Sequence, residues 1–430
     1  MRFTLINQPM FNRGDESAHK ALVYALLQHF PDCTIEVLFT GRPQEAVDEC
    51  KVGDVRVTYT NLQVTRRYLL TYLSNLRRGT FLLWRFNPVV RRIIRCYRKS
   101  DWIISSPGNR SLGPRYDWDH LFFVTLAEYV GCKVAYYGRS IGPFVGDNPL
   151  KKRFDYLAVK ALRKASFVSL RDPESIQIAS EIGVKAHSTL DTAFLYTPMV
   201  QAPQDVRDFV GDDRYFVLVP NYLIPEAKDF KGRSTPTQVK YFFSELARRM
   251  LAEFPEHKIL MLPQLFCGHD YQSSDHAFFV DIEKEVDDSR LCVLPDTLLS
   301  EQHQAIISGS SGVVGARYHS IVFAINNNVP FVTLNYGGRI RGMLELLGKQ
   351  DCVVDITQAL EPPRGRKPLP EAKPGEQAPD ALTFDGEVAL ARILDKMHHL
   401  QSDDGARRLA KAKTSECFYH LVEAIKGGKA

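Results

Sequence analysis

The chain has 430 residues, 44% hydrophobic and 24% charged, with 27 Gly and 24 Pro. That apolar content over that length fills two cores and excludes global disorder, and no apolar run reaches the ~18–20 residues that a membrane-spanning helix needs. Eight Cys, none closer than 17 residues to the next, exclude CxxC zinc or redox motifs and a disulfide framework. They are expected to be reduced, mostly buried thiols. The opening Met1-Arg2-Phe3-Thr4-Leu5-Ile6-Asn7 is too quickly polar for a secretory apolar region, so a cytosolic location is expected.

In chain order, a strand over 2–7 leads through a loop over 8–15 into a helix over about 16–29. Ala18, Ala21, Leu22, Ala25 and Leu26 recur there at i, i+3, i+4. A strand follows at 34–39. Between positions 66 and 100 lie ten basic residues and no acid; of 55 basic and 50 acidic residues in all, this leaves 45 against 50 elsewhere, a balance of −5. The same stretch carries Tyr68, Tyr72, Phe81, Trp84, Phe86 and Tyr97 among leucines and isoleucines. Arginine interleaved with aromatics suits an anionic membrane surface, or a nucleic acid, or a pair of ordinary helices with solvated outer faces. Strands at 102–105, 133–137 and 167–170 alternate with helices at 121–130 and 150–164. Asp172-Pro173 is an N-cap with proline at the first helical position, opening a helix over 173–182 that Gly183 closes. Residues 185–189 end this half.

Residues 196–213 are polar and form an expected linker. The alternation then restarts, with strands at 215–220, 258–262, 291–294, 313–316, 331–334 and 352–356. Helices at 237–254, 279–286, 300–307, 320–327 and 338–347 lie between and after them. Residues 361–386, with six prolines between 361 and 380, form an expected loop, and 387–430 a helical tail that can fold back on the first half. The domains are therefore 1–195, including the basic segment 66–100, and 214–360. The fold class is α/β, with two doubly wound Rossmann-like domains facing a cleft, because ligands sit at the carboxyl ends of such strands.

Residues able to do chemistry cluster at strand ends. Asn12-Arg13-Gly14-Asp15 precedes the first helix: Gly14 permits close backbone approach, and Asp15 is either a cap or a functional carboxylate. The buried run 308–316 leads into Arg317-Tyr318-His319, and the next strand leads into Asn335-Tyr336-Gly337-Gly338-Arg339. Two strand ends one βα unit apart thus bring Arg317, His319 and Arg339 to one crevice, with helix N-termini alongside. Arginine forks bind carboxylate or phosphate and histidine exchanges a proton near neutral pH; a structural ion pair is the alternative. Cys267, His269, Asp270, Asp275 and His276 are metal-type residues without a compact ligand spacing, so no metal is expected and a loop lining a ligand site is the simpler account.

These pieces resemble the polysaccharide pyruvyl transferase family from residue 7 to about 348. The resemblance is carried by Asn12-Arg13-Gly14-Asp15, Gly138-Arg139-Ser140-Ile141-Gly142-Pro143, Ser169-Leu170-Arg171-Asp172, Asp191-Thr192-Ala193-Phe194, and Arg317-Tyr318-His319 through Pro330 to Tyr336. It implies a glycosyltransferase-B-like protein that moves pyruvate from phosphoenolpyruvate, as donor substrate and without a cofactor, onto a saccharide acceptor as a ketal. The acceptor is commonly a lipid-linked precursor of a cell-surface or exopolysaccharide. It further implies that Arg317, His319 and Arg339 handle the donor, with Arg171, Asn12, Gly14, Ser140 and Tyr336 as further substrate-binding residues. Ketal formation needs a general acid and a general base, expected to be His319 and Asp15. Position 339 is Arg where the family usually shows Lys, and the stretch after the 102–105 strand reads Ser106-Pro107-Gly108-Asn109 in place of a richer run of glycines. A location in the cytoplasm, peripheral at the membrane's cytoplasmic face, follows, with no nucleic-acid partner. A nucleotide-sugar glycosyltransferase and a non-catalytic member of a polysaccharide assembly complex remain as rivals.

Overall fold

In the computed structural model of the chain the described residues are 1–9, 11–62, 74, 76–78, 87–224, 234–265, 274–360 and 384–427. They form two compact units. The first comprises Met1–Met10, Asp15–Tyr196 and Lys411–Ala430, and the second Phe11–Gly14 and Thr197–Ala410.

The first unit is built on a parallel sheet of β1 (Arg2–Ile6), β2 (Thr34–Thr40), β3 (Val57–Leu62), β4 (Trp102–Ser105), β5 (Gly108–Leu112), β6 (Lys133–Ile141), β7 (Phe167–Leu170) and β8 (His187–Ser188). Their order is β3-β2-β1-β4-β6-β7-β8, with β5 also against β6. The strands β4 and β7 are buried along their whole length, as a sheet covered on both faces demands. On one face, Val90, Ile93 and Tyr97 of the helix Pro88–Arg98 pack with Leu121, Phe122 and Leu126 of the helix Trp118–Val130. On the other, Leu22 and Leu26 of the helix Arg13–His29 meet Cys417, Phe418, Leu421, Val422 and Ile425 of the final helix, Asp404–Lys426. Those five tail residues recur at i, i+1, i+4, i+5 and i+8 and form an apolar stripe. Burying each large one is worth about 1.5–3 kcal/mol, which is ample to hold the tail on this unit.

The second unit holds β9 (Arg214–Val219), β10 (His257–Met261), β11 (Leu291–Val293), β12 (Gly312–Gly315), β13 (Phe331–Asn335) and β14 (Val353–Asp355), all parallel, in the order β11-β10-β9-β12-β13-β14. The chain runs outward from β9 to one edge, returns to β12 and runs outward to the other. The carboxyl ends of β9 and β12 are therefore the switch point, where the flanking loops part and leave room for a ligand.

Besides shifts of a few residues at other helix starts, such as Trp118 and Asp275, four differences from the expected organisation stand out. The first helix begins at Arg13, because the Asn12 side chain already accepts from Gly14 N at 2.8 Å and turns the chain; Asp15 is in the first turn. Strand β6 continues to Ile141, so Arg139 and Ser140 lie in the sheet and not beyond it. The expected linker 196–213 contains the helix Gln204–Val210, which buries Val206 and Val210 and belongs to the second unit. The tail is two helices, Phe384–His398 and Asp404–Lys426, with only Lys411 onward in the first unit. Of the proline-rich loop, 361–383 lies outside the described residues, as does most of 66–86. No disulfide links the seven described cysteines, of which Cys33, Cys50 and Cys417 are buried and four half-buried, fewer than expected.

Candidate active site

At the switch point of the second unit, Gly315 of β12 pairs with Val219 of β9 and Thr333 of β13. Two residues further along each chain stand Arg317, Asn221 and Asn335, so three strand ends deliver polar side chains at one level. The helices Tyr318–Asn326 and Gly338–Leu346 start immediately beyond, with neither Arg317 nor Gly337 supplying a side-chain cap. Their positive ends favour an anion. Arg317 is buried and forms an ion pair with Asp275, a fully buried carboxylate that also accepts from Gln264 N at 3.0 Å and Leu265 N at 2.8 Å. Burial pushes the Asp275 carboxyl up against the opposing pull of Arg317 and these two amides. The guanidinium also stands 5.7 Å from the Tyr222 ring centre, and among the described residues its buried Nε has no hydrogen-bond partner. The structural ion pair is thus real, and an unmet donor remains on the same side chain. Tyr336 accepts from the Asn221 amide, which itself accepts from Leu223 N at 3.0 Å. Arg339 is the second residue of its helix; its side chain lies outside the described residues.

His319, 7% exposed, is the second residue of the helix Tyr318–Asn326. Its ring lies edge to face with Tyr318 at 5.1 Å and 6.3 Å from Phe323. A further restraint comes from the first loop. A methyl group on Gly14 would stand 1.8 Å from His319 Cγ and 2.0 Å from Nδ1, which no structure tolerates, so the imidazole occupies the space that glycine leaves. Residues 11–14 belong to the second unit. Asn12 bridges Leu265, Arg13 N donates to Gln264 O at 3.0 Å, and the Arg13 guanidinium donates to Asp296 O at 2.6 Å. The expected close approach at Gly14 is therefore to a histidine ring, with Asn12 shaping the turn.

Asp15, Arg171 and Ser140 belong to the first unit. Arg171, 5% exposed, pairs with the buried Asp191 at 2.6 Å and reaches Asn109 Oδ1 at 3.3 Å. Asp191 also caps the short turn Thr192–Leu195 through Ala193 N at 3.1 Å. Ser140 is buried in β6. Beside it Arg139, part of the 138–143 motif but given no role from sequence, is fully enclosed. It donates to Asn7 O at 3.2 Å, to Ser106 O and to Ser111 Oγ at 3.1 Å, and burial lowers its pKa while Asp15 and Asp117 pull the other way. The signal for it was an arginine two residues past the expected strand 133–137, followed at once by the motif's further residues. Asp15 is 3% exposed.

Of the metal-type residues, 267, 269 and 270 lie outside the described residues, and Asp275 serves Arg317. Among the described residues no three His, Cys, Asp or Glu converge on a point.

Two α/β units, each with a doubly wound parallel sheet, define a glycosyltransferase-B-like fold. Solved structures agree over nearly the whole chain. UDP-GlcNAc 2-epimerase from Methanocaldococcus jannaschii superposes with a TM-score of 0.58 at 11% identity, over 98% of this chain and 99% of that one. The Neisseria meningitidis UDP-GlcNAc 2-epimerase bound to UDP-GlcNAc gives 0.52 at 11% identity, over 100% of both chains. At such identity the likeness is one of fold alone. The polysaccharide pyruvyl transferase family model matches residues 12–338, and the chain belongs to that family. It is also similar to the amylovoran biosynthesis protein AmsJ of Erwinia amylovora, 21% identical over 235 residues, which is 52% of this chain and 54% of that protein.

Proposed function

We propose that the protein transfers pyruvate from phosphoenolpyruvate to two hydroxyls of a sugar in a cell-surface or exopolysaccharide precursor, forming a cyclic ketal. The observation that carries this is the switch-point constellation of the second unit. There a buried arginine with an unmet Nε–H and an imidazole stand at the start of one helix, with a second helix N-terminus beside it. Such a site suits a small donor that carries two anionic groups and must be protonated.

In this reaction the methylene carbon of the enol phosphate gains a proton and becomes a methyl group, and positive charge grows on the central carbon. One sugar hydroxyl attacks that carbon, the C–O bond to phosphate breaks, and the second hydroxyl closes the ring. One hydroxyl proton ends, in net terms, on the methyl group and the other on the released phosphate. Arg317 and Arg339 hold the phosphate and carboxylate and stabilise charge on the departing group. His319 supplies the proton and Asp15 accepts the hydroxyl proton. Tyr336 and Asn12 frame the donor, while Arg171 and Ser140, in the first unit, support acceptor binding. No metal or cofactor has a role, because arginines supply the positive charge.

The acceptor is lipid-linked, which places the work at the cytoplasmic face of a membrane. No described helix is long and apolar enough to cross one. Phosphate release from phosphoenolpyruvate, measured over a panel of lipid-linked and short sugar diols, tests the proposal, with the ketal methyl identified by NMR. His319→Gln is expected to lower turnover by ~10²–10⁴ in a folded protein. Turnover of a nucleotide sugar with indifference to phosphoenolpyruvate would show the glycosyltransferase alternative instead.

A further inference from the structure

We infer that the outer face of the helix Pro88–Arg98 is a docking surface for an anionic lipid bilayer. Arg91, Arg92, Arg95, Arg98 and the following Lys99 are all exposed, whereas Val90, Ile93, Ile94 and Tyr97 are buried in the first unit. At about 100° per residue the five cations occupy an arc of about 120°. The helix contains no acidic residue, and among the described residues none of the five cations makes an ion pair. Glu36, which accepts from Cys96 Sγ of this helix at 3.5 Å, is paired with Arg2 at 2.6 Å. The mount is rigid: Pro88 opens the helix and the Asn87 side chain accepts from Val89 N at 3.0 Å and Val90 N at 3.2 Å.

The apolar side of this helix is already buried in the core, which decides the mode of contact. The helix cannot roll its hydrophobic residues into acyl chains, so it meets a bilayer at headgroup level, through charge. A plane of anions matches five cations on one convex face. A nucleic acid would gain from stacking, but the helix's one aromatic ring, Tyr97, is buried. Outside these five cations the chain is balanced, 50 basic against 50 acidic residues, so this face carries a local positive charge that turns it toward a negative plane.

Sedimentation with vesicles of equal parts phosphatidylglycerol and phosphatidylcholine, against phosphatidylcholine alone, tests the inference independently of the catalytic proposal. The full chain is expected to bind the anionic vesicles only, and to be released as salt rises, since attraction is screened over ~8 Å at physiological ionic strength. Each cation near such a surface is worth about fivefold in binding, so Arg91→Gln, Arg92→Gln and Arg95→Gln together should weaken it on the order of a hundredfold. The matching triple replacement by Lys should keep it within about threefold. The side chains are exposed, so the circular dichroism of both variants and their turnover of a short soluble acceptor should match wild type. Equal binding to neutral vesicles, or an unweakened Gln variant, overturns the inference. So does binding of duplex DNA, lost in the Gln variant, without any vesicle binding.

Discussion

One hydrogen atom in place of a methyl group on Gly14 makes room for the His319 ring. Gly14 sits in the first turn of the helix Arg13–His29, where alanine is the better helix former by about 1 kcal/mol. Gly14→Ala should nevertheless destabilise the protein, because the ring must leave its place. In a His319→Ala background the same change should be neutral or stabilising. A double-mutant cycle in urea reads this coupling as at least ~1 kcal/mol, without reference to activity. Additive effects would show that the ring moves aside freely. The Asp275–Arg317 pair gives a second prediction at this scale. Both partners are buried, so Asp275→Ala leaves an uncompensated guanidinium and should cost about 3–5 kcal/mol, while replacing both by apolar residues of similar volume should recover most of the loss. Chemical denaturation of the three variants decides it.

At the level of elements, a capping side chain followed by proline opens four helices: Asn87-Pro88, Asn148-Pro149, Asp172-Pro173 and Thr235-Pro236. Of these, Asp172-Pro173 is legible from sequence; in all four, proline at the first helical position gives up an amide that has no partner there, and the preceding side chain accepts from an amide two or three residues further on. Asp172 accepts from Ser175 N at 2.8 Å and Ser175 Oγ at 2.9 Å, and Ser175 Oγ in turn accepts from Ile141 N at 2.9 Å. This motif therefore joins a helix start to β6. Asp172→Ala should cost about 1–2 kcal/mol in stability, read as a lower urea midpoint, with the Michaelis constant for the proposed donor, phosphoenolpyruvate, unchanged. A large change in that constant with little loss of stability would give Asp172 a direct part in substrate binding. The helix Pro88–Arg98 shows what sequence at this scale leaves open: its composition allowed an inserting amphipathic segment, and only the burial of Ile93 and Tyr97 shows that its apolar side faces the core.

For the molecule as a whole, a buried histidine contributes to the response to acid. His19, fully buried and 3.2 Å from Tyr59 Oη, is held down to about 3, first by burial and then by Lys20. The folded chain keeps it neutral while the unfolded chain protonates it below 6.5, so its contribution to stability falls as pH drops from 6.5 toward 3. Each proton so linked changes stability by about 1.4 kcal/mol per pH unit. Glu128, raised to about 7 by burial, acts with the opposite sign between its ordinary value and 7. His19→Gln removes one histidine from this balance. Relative to wild type, its stability between pH 6.5 and 4.5 should therefore decline less steeply, by about 1.4 kcal/mol per pH unit. Parallel curves for the two proteins would mean that His19 takes up its proton within the fold.

The amino-acid sequence by itself determined the alternation of strands and helices, the capped start at Asp172-Pro173, and Arg317 and His319 at a strand end. These follow from spacing along the chain, since periodicity and caps depend on neighbours a few residues away. Only the tertiary structure decided that residues 11–14 join the second unit and 411 onward the first. It likewise decided that Gly14 lies against His319, that Asp275 neutralises Arg317, and that Arg171 is held by Asp191. Such partners are fixed by the order in which strands line up in a sheet, which brings together residues that no local pattern connects.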